Sequence, residues 1–444
     1  MREAQTSSGP PMGRILLGGA CLSLQPLVLN IVSVPALAYI IHQLGPEGYA
    51  QWMVATTLLG VCAAVTSLGL RGAFVRRVAA DPGCSADALA EQLGVRVLLA
   101  ALGGAIVVCT CRLMGYSPAV VWCTLIGSIA MVFTAVSSTL SDLLQAHHRL
   151  KTIAGVNFLA GLALTIASVA AAWSETGPAA VATAYLVGPA LGAVLALRAV
   201  RARICGVSVR WDLRRSGRLL AESRFFAAQQ LLVAGSTQAE ALMLPRLVGM
   251  NRFGYFSAGT LLATRLTALP DGLCTAAYPS MVKACRHDAR GGGRMVVFYG
   301  ALALVLGVAL AAACTVAAEP IGRLLFPSRP EIFGKVARIT IWALPLAGIE
   351  LVLGYALNAA GKDREQARAS VPAACACLAI SVGLVTTLGV TGACIAMVLR
   401  PAVRTAFLAP IAAWTFRSTA GGKASGAYAI RGDAVGTATL RKAG

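Results

Sequence analysis

The chain has 444 residues, of which 57% are hydrophobic and only 13% are charged, and its mean hydropathy is +0.73. About a quarter of the residues of an ordinary soluble domain are charged, so this composition excludes a water-soluble fold and indicates a membrane protein. The net charge of +20 does not indicate a nucleic-acid partner. The basic residues lie in short segments between apolar runs, where orientation in a membrane explains them.

Twelve apolar runs follow one another along the chain, each long enough to cross about 30 Å of hydrocarbon. The first is too long for the apolar part of a signal peptide and predicts a retained span. Turn signals such as Gly45-Pro46 separate the runs. The sequence therefore predicts an all-α polytopic protein with about twelve transmembrane helices, at residues 15–41, 50–70, 94–113, 118–142, 152–173, 177–197, 219–248, 254–281, 295–317, 336–360, 370–389 and 391–414.

Basic residues predict how these helices are oriented. With the N-terminus in the cytoplasm, about 26 Lys and Arg residues fall on the cytoplasmic side and about six on the outer side, as the positive-inside rule requires. Both termini are therefore expected in the cytoplasm. The five predicted parts are a cytoplasmic N-terminal segment, a first six-helix bundle, a basic linker, a second six-helix bundle and a flexible tail, at 1–14, 15–197, 198–218, 219–414 and 415–444.

The two halves share short sequence patterns. Gly45-Pro46-Glu47-Gly48-Tyr49-Ala50 opens the second span and the segment 249–256 opens the eighth, each leading through Gly-Tyr into a helix. Leu144-Gln145-Ala146 ends the fourth span and Leu357-Asn358-Ala359 ends the tenth. The offsets of about 205 and 213 residues correspond to six spans, which gives both halves the same topology. The sequence thus predicts two six-helix bundles, related by a parallel pseudo-two-fold repeat, around a central cleft.

The segments Leu44-Gly45-Pro46-Glu47-Gly48-Tyr49, Ser67-Leu68-Gly69-Leu70 and 71–79 resemble the start of polysaccharide and O-antigen repeat-unit flippases of the multidrug/oligosaccharidyl-lipid/polysaccharide exporter superfamily. Ser67 is a departure, because an Asp often precedes Leu-Gly-Leu in that family. The resemblance implies alternating access in the bacterial inner membrane and an undecaprenyl-diphosphate-linked oligosaccharide as cargo. Its implied partners are this lipid-linked oligosaccharide, membrane lipids, and the polymerase or export machinery for surface polysaccharide.

Polar residues deep in predicted spans are the candidates for function, since a charge at mid-bilayer costs about 3 kcal/mol on insertion scales and normally faces protein or a wet cavity. The candidates for binding cargo in the cleft are Arg265, Glu240, Asp271, Arg400, Arg404, Gln25, Asn30 and Gln238.

The guanidinium of Arg265 has the planar donor geometry that matches phosphate oxygens, which suits a diphosphate passing through a cleft. The alternative for Arg265 is an ion pair with Glu240 or Asp271 that only locks helices together. Arg400 and Arg404 are four residues apart and so share a helix face. They are expected either to hold helices together or to contact cargo.

Glu240 and Glu350 are the candidates for coupling transport to a proton or cation, because a carboxyl group in a low-dielectric cleft is typical of a functional proton- or cation-binding site. Glu240 is alternatively a partner of Arg265, whereas Glu350 has no obvious partner in the sequence. No cofactor is predicted: the segment 421–424 lacks the pattern of a phosphate-binding loop, and the Cys-x-Cys pairs at 109–111 and 375–377 lack zinc spacing.

Two other functions stay open from the sequence. A cation-coupled drug or metabolite antiporter of the same superfamily would need an acid in the first half, where the deepest is Asp142 near an inner end. A membrane-embedded polysaccharide polymerase or ligase would need a large outward catalytic loop, which the spacing of the spans does not allow. The leading hypothesis is therefore a flippase, a transporter rather than an enzyme.

Overall fold

The fold is almost entirely helical. A computed structural model describes residues 12–67, 74, 78, 81–147, 149–174, 177–207, 213–287, 289–327 and 329–418, and this described part contains no β-strand. Several sequence predictions lie outside it: most of the N-terminal segment, Leu68-Gly69-Leu70, part of the basic linker, and the tail from residue 419 onward. The division of the chain into five parts therefore stays a prediction.

The first six spans form one lobe, which we call the N-lobe. Spans 1 and 2 are the two legs of Met12–Ser67, which is broken at Gly45 (φ 64°, ψ 179°). Glycine reaches a positive φ of this size without a steric penalty, which allows the helix to break here. The break lies at the Gly45-Pro46 turn that the sequence predicts. Spans 3 to 6 are Ser85–Leu113, Pro118–Ala146, Leu150–Trp173 and the consecutive pair Pro178–Tyr185 and Val187–Arg203.

The last six spans form the C-lobe. Spans 11 and 12 are the two legs of Asp363–Ser418, broken at Gly389 (φ 58°) between the two predicted helices. Spans 7 to 10 are Leu213–Leu247, then Met250–Leu266 continued by Ala268–His287, then Ala289–Leu325, and finally Pro330–Thr340 continued by Ala343–Ala359.

Eight helices of the described part are long and apolar enough to cross a membrane. Two of these, Val28–Ala64 and Arg364–Phe416, contain the breaks at Gly45 and Gly389 and so supply two legs each. Spans 7 and 8 are long enough but more polar, and they carry four of the eight candidate cleft residues. The described part thus contains twelve helical segments, six in each lobe, that correspond to the twelve spans predicted from the sequence.

Several helices extend further than their apolar runs. Span 3 begins at Ser85 rather than near residue 94, because Ala88 and Leu89 are buried against Leu140 and Leu143 of span 4. Hydropathy alone does not detect such a helix end, since its polar residues lower the average while one face still packs against the neighbouring helix.

The two lobes pack together at one end of the bundle. Gly45 and Gly249 both lie at this end, which we call the turn end, and Gly249 also has a positive φ of 86°. A Cβ added to Gly254 would overlap the carbonyl oxygen of Pro46, so the two repeated turns are in direct contact. A buried cluster at this end joins Leu37 and Ile41 of the N-lobe to C-lobe residues that include Tyr255, Phe326 and Phe333.

At the opposite end, the buried clusters of the described residues stay within one lobe each. One contains N-lobe residues only, among them Leu89, Leu144 and Val200. Two others contain C-lobe residues only, among them Met281 and Leu357. Shared buried packing between the lobes is therefore concentrated toward the Gly45 and Gly249 turns, and we call the opposite end, where the described residues form no shared buried cluster, the wide end of the cleft.

Candidate functional site

The candidate site is this cleft, and the two lobes contribute to it unequally. All six charged candidates lie in C-lobe spans 7, 8, 10 and 12, whereas the N-lobe contributes the neutral residues Gln25 and Asn30 of span 1. Any charge recognition by these residues therefore comes from the C-lobe.

Arg265 contacts the N-lobe across the cleft. Its Nη1 donates a 2.8 Å hydrogen bond to the Oδ1 of Asn30. Asn30 and Arg265 are 15 and 16 residues from Gly45 and Gly249, which places both about 23 Å from the turn end. Arg265 is exposed, and among the described residues no carboxylate lies within 4.0 Å of its guanidinium. The expected alternative, an ion pair with Glu240 or Asp271, is not formed.

Glu240 is instead paired inside the C-lobe. Its Oε2 accepts from Nη2 of Arg400, and its Oε1 accepts a 2.8 Å hydrogen bond from Ser381 of span 11. Glu240 and Ser381 are 3% and 1% exposed, so this carboxylate is neutralised within the packed lobe. The contact connects spans 7, 11 and 12.

A second pair lies one turn further along span 12. Nη1 of Arg404 is 3.4 Å from Oε1 of Glu350, and Nη2 donates a 3.0 Å hydrogen bond to Thr237 of span 7. The sequence offered no obvious partner for Glu350, and the structure places Arg404 beside it. The sequence spacing correctly places both arginines on one face, and that face points to two acids from different spans.

Asp271 is held by the C-lobe as well. The hydroxyl of Tyr355 in span 10 donates a 3.0 Å hydrogen bond to Oδ1 of Asp271, and Thr275 lies 3.0 Å from the same hydroxyl. Of the remaining candidates, Gln238 lies beside Gly60 of the N-lobe, where an added Cβ would be 3.9 Å from its side-chain amide nitrogen. Gln25 is half-buried on span 1.

Sequence reasoning missed one buried ion pair in the N-lobe. Asp142 and Arg96 are 2.9 Å apart, and both side chains are nearly inaccessible. Arg96 also lies 3.4 Å from the hydroxyls of Ser138 and Thr139. Hydropathy did not reveal the pair, because Arg96 stands at the start of an apolar run and its partner is 46 residues away in the sequence.

Each lobe also contains a cavity with polar groups in its lining, and the two cavities occupy equivalent places in the repeat. The N-lobe cavity, of about 400 Å³, includes Ser137 and Asn157 in its lining. A shift of 213 residues, the spacing of the Leu144 and Leu357 motifs, superposes these on Glu350 and Ser370, which line a C-lobe cavity of about 220 Å³. Within the described residues, no group of His, Cys, Asp or Glu side chains is arranged to hold a metal ion.

Comparison with known proteins gives the family. The sequence profile described as polysaccharide biosynthesis protein matches residues 16–285, well over half of the chain. The chain belongs to this polysaccharide biosynthesis family. No curated protein sequence matches it.

Solved structures give the fold of this polysaccharide biosynthesis family member. The lipid II flippase MurJ in an inward closed conformation is similar with a TM-score of 0.68 at 13% identity, covering 87% of this chain and 86% of that one. An inward-facing multidrug resistance MATE family transporter of the MOP superfamily has a TM-score of 0.66 at 16% identity, covering 90% and 100%. An outward-facing MATE structure has 0.61 at 15% identity, covering 94% and 100%. The chain thus has the two-lobe fold of these transporters.

Proposed function

We propose that the protein is a flippase that moves an undecaprenyl-diphosphate-linked oligosaccharide from the cytoplasmic to the outer leaflet of the bacterial inner membrane, for surface polysaccharide export. The observation that carries this proposal is Arg265, an exposed cation in the cleft whose partner across the lobe boundary is the neutral amide of Asn30. The similarity of the fold to a lipid II flippase and the polysaccharide biosynthesis family support the same cargo class.

The chemistry of Arg265 favours a diphosphate. A guanidinium has five N–H donors and no acceptor, and one nitrogen is used by Asn30, so further donors remain for phosphate oxygens. A charge at this depth is costly unless it faces water or an opposite charge. Arg400 and Arg404 have their carboxylates within the C-lobe, which makes Arg265 the better candidate for contact with cargo.

The direction of transport follows from orientation. If the basic loops are cytoplasmic, the turn end lies outside and the wide end of the cleft opens to the cytoplasm, where the cargo is made. The described conformation would then be the one that loads cargo. Opening the contact between the Gly45 and Gly249 turns would release cargo outward, while the prenyl tail stays in lipid.

The two coupling candidates receive a structural role in this proposal. Glu240 and Glu350 are bound by Arg400 and Arg404, so either acid would have to lose its arginine before it could carry a cation. We propose that these pairs hold spans 7, 10 and 12 together as the lobes move.

Transfer in proteoliposomes tests the function. We expect the purified protein to accelerate the movement of a fluorescent prenyl-diphosphate-linked oligosaccharide between leaflets. Arg265→Ala should slow it by about ten- to a hundredfold, the loss expected for hydrogen bonds to a charged group worth about 1.5–3 kcal/mol. Arg252→Ala, an exposed arginine at the turn end of the same span, is the matched control and should leave the rate unchanged.

Two results would contradict the proposal. If the wild-type protein does not accelerate transfer, the protein is not a flippase for this cargo. If Arg265→Ala folds normally and transfers cargo at the wild-type rate, Arg265 has no part in the mechanism.

A further inference from the structure

The N-lobe contains a trough, mainly apolar but with a row of hydroxyl and amide groups, that none of the charged residues of the cleft explains. It consists of two cavities of about 180 and 400 Å³ that share Thr134 in their lining. The smaller cavity has an aromatic wall, where Trp52 and Tyr185 pack edge to face with ring centroids 6.4 Å apart. The larger cavity is lined by hydroxyl and amide groups from Ser137, Ser138, Ser141 and Asn157.

The hydroxyl groups form a continuous line along span 4. Residues 134, 137, 138 and 141 recur at three- and four-residue spacing, which places them on one face of the helix. Asn157 of span 5 stands across from this face and is exposed. Polar groups at such positions in a membrane protein normally border water or a polar ligand rather than lipid.

The trough has no free charge with which to recognise an ion. Asp142 is the acid in its lining, and that carboxylate is paired at 2.9 Å with the guanidinium of Arg96. Hydroxyl and amide side chains both donate and accept hydrogen bonds, so they suit a ligand whose own groups do the same. Sugar hydroxyls are such groups, and an aromatic wall supplies an apolar surface for the C–H face of a sugar ring.

Equivalent positions of the two lobes carry different residues in their cavities. The C-lobe counterpart of Ser137 is Glu350, whose carboxylate is paired with Arg404 of span 12. In the N-lobe, Ser137 of span 4 instead faces Gly192 of the corresponding span 6, where an added Cβ would lie 3.2 Å from the Ser137 hydroxyl. The Glu350–Arg404 ion pair thus lines the C-lobe cavity, whereas the equivalent position of the larger N-lobe cavity is the neutral Ser137 and its one acid, Asp142, is paired with Arg96.

The trough is also close to Arg265. Gly161 lines the larger cavity and packs against Leu29 of span 1, where an added Cβ would lie 2.7 Å from a methyl group. The next residue, Asn30, accepts the hydrogen bond from Arg265. A molecule with a diphosphate at Arg265 therefore has the N-lobe trough beside it.

We propose that the N-lobe trough binds the sugar residues next to the diphosphate of the cargo, with Ser137, Ser141 and Asn157 as hydrogen-bonding groups and Trp52 and Tyr185 as the aromatic wall. This inference rests on the proposed function. The two lobes then divide recognition, since the C-lobe binds the charged diphosphate and the N-lobe binds the neutral sugar.

Binding of two matched probes tests the inference. Purified protein is titrated with a prenyl diphosphate that carries a disaccharide and with the same prenyl diphosphate without sugar, and complexes are measured by native mass spectrometry. For Asn157→Leu we expect about tenfold weaker binding of the sugar-bearing probe and unchanged binding of the sugar-free probe. Ser137→Val and Ser141→Val should show the same selective loss at about threefold each. Thr165→Val is the matched control on span 5, since its hydroxyl bonds the carbonyl of Gly161 and lies outside the trough.

The outcomes separate the two proposals. Equal weakening of both probes, or no weakening of the sugar-bearing probe by any of the three variants, would overturn the sugar site alone and leave a merely hydrated trough. Wild-type protein that binds neither probe would overturn the proposed function and the sugar site with it.

Discussion

Arg400 and Arg404 show how neighbouring residues decide what a membrane-embedded charge does. Each is near a carboxylate from another span, Glu240 or Glu350, and these contacts join separate helices. Arg265 differs, because its described partner Asn30 is neutral and belongs to the other lobe. The same residue type therefore has a structural role at two positions and a candidate binding role at the third.

The Glu240–Arg400 pair predicts a stability effect that depends on charge balance. Glu240→Gln should lower the melting temperature in detergent markedly, because removing one partner of a buried pair leaves an uncompensated charge and costs about 3–5 kcal/mol. The double variant Glu240→Gln/Arg400→Met should recover most of the loss, as measured by thermal unfolding followed with size-exclusion chromatography. Glu319→Gln, which breaks the exposed contacts with Arg323 and Arg338, is the control and should change the melting temperature little. A double variant no more stable than the single one would mean that the pair is not the source of the effect.

Paired turns are the main feature at the scale of elements. The Gly45 and Gly249 turns are equivalent in the repeat, and they meet where Gly254 contacts the backbone of Pro46. Nearby, Arg246 of span 7 donates to the carbonyl oxygen of Met114 and lies 4.8 Å above the ring of Tyr116. Backbone contact, a hydrogen bond and a cation–π contact thus join the lobes at one end.

Gly254→Ala should weaken this closed end. The added methyl group has no room against Pro46, and overpacking of this kind typically costs about 1–3 kcal/mol. We expect a longer component in the distance distribution between spin labels at Trp173 and Leu324, which are exposed at the turn end of the two lobes. The labels are best introduced as noncanonical amino acids, because the chain contains 13 cysteines. Gly300→Ala, where an added Cβ meets open space, should leave the distribution unchanged. An unchanged distribution in Gly254→Ala as well would show that this contact does not hold the end closed.

The whole molecule is two similar lobes whose shared buried clusters, among the described residues, lie toward the turn end, with further contacts along spans 1 and 8. Buried clusters join the lobes near the turns, and the clusters at the other end each belong to one lobe. The similarity of this arrangement to transporters of the MOP superfamily extends over about nine-tenths of the chain. In this arrangement the cleft is closed at the turn end, and its wide end lies toward one side of the membrane.

Fusion proteins test which side that is. We expect alkaline phosphatase fused after Ser174, at the turn end, to be active, because that loop should lie outside the cell. The same enzyme fused after Lys362, at the wide end, should be inactive, and green fluorescent protein at that position should fluoresce. The opposite pattern would place the wide end of the cleft outside and reverse the proposed direction of loading.

The sequence by itself determined the helices and their number. The length of an apolar run determines whether a helix can cross the membrane, and this depends only on contact with lipid. The breaks at Gly45 and Gly389 depend only on the backbone freedom of glycine, which is also a local property. The tertiary structure decided the partners of the polar residues. Arg265 contacts Asn30, 235 residues away, and Glu240 pairs with Arg400, 160 residues away. Which helices meet depends on packing within and between the lobes, and the periodicity of the sequence carries no signal about contacts between residues so far apart along the chain. The hydroxyl spacing of span 4 was visible in the sequence, but only the cavity beside it indicates a binding site.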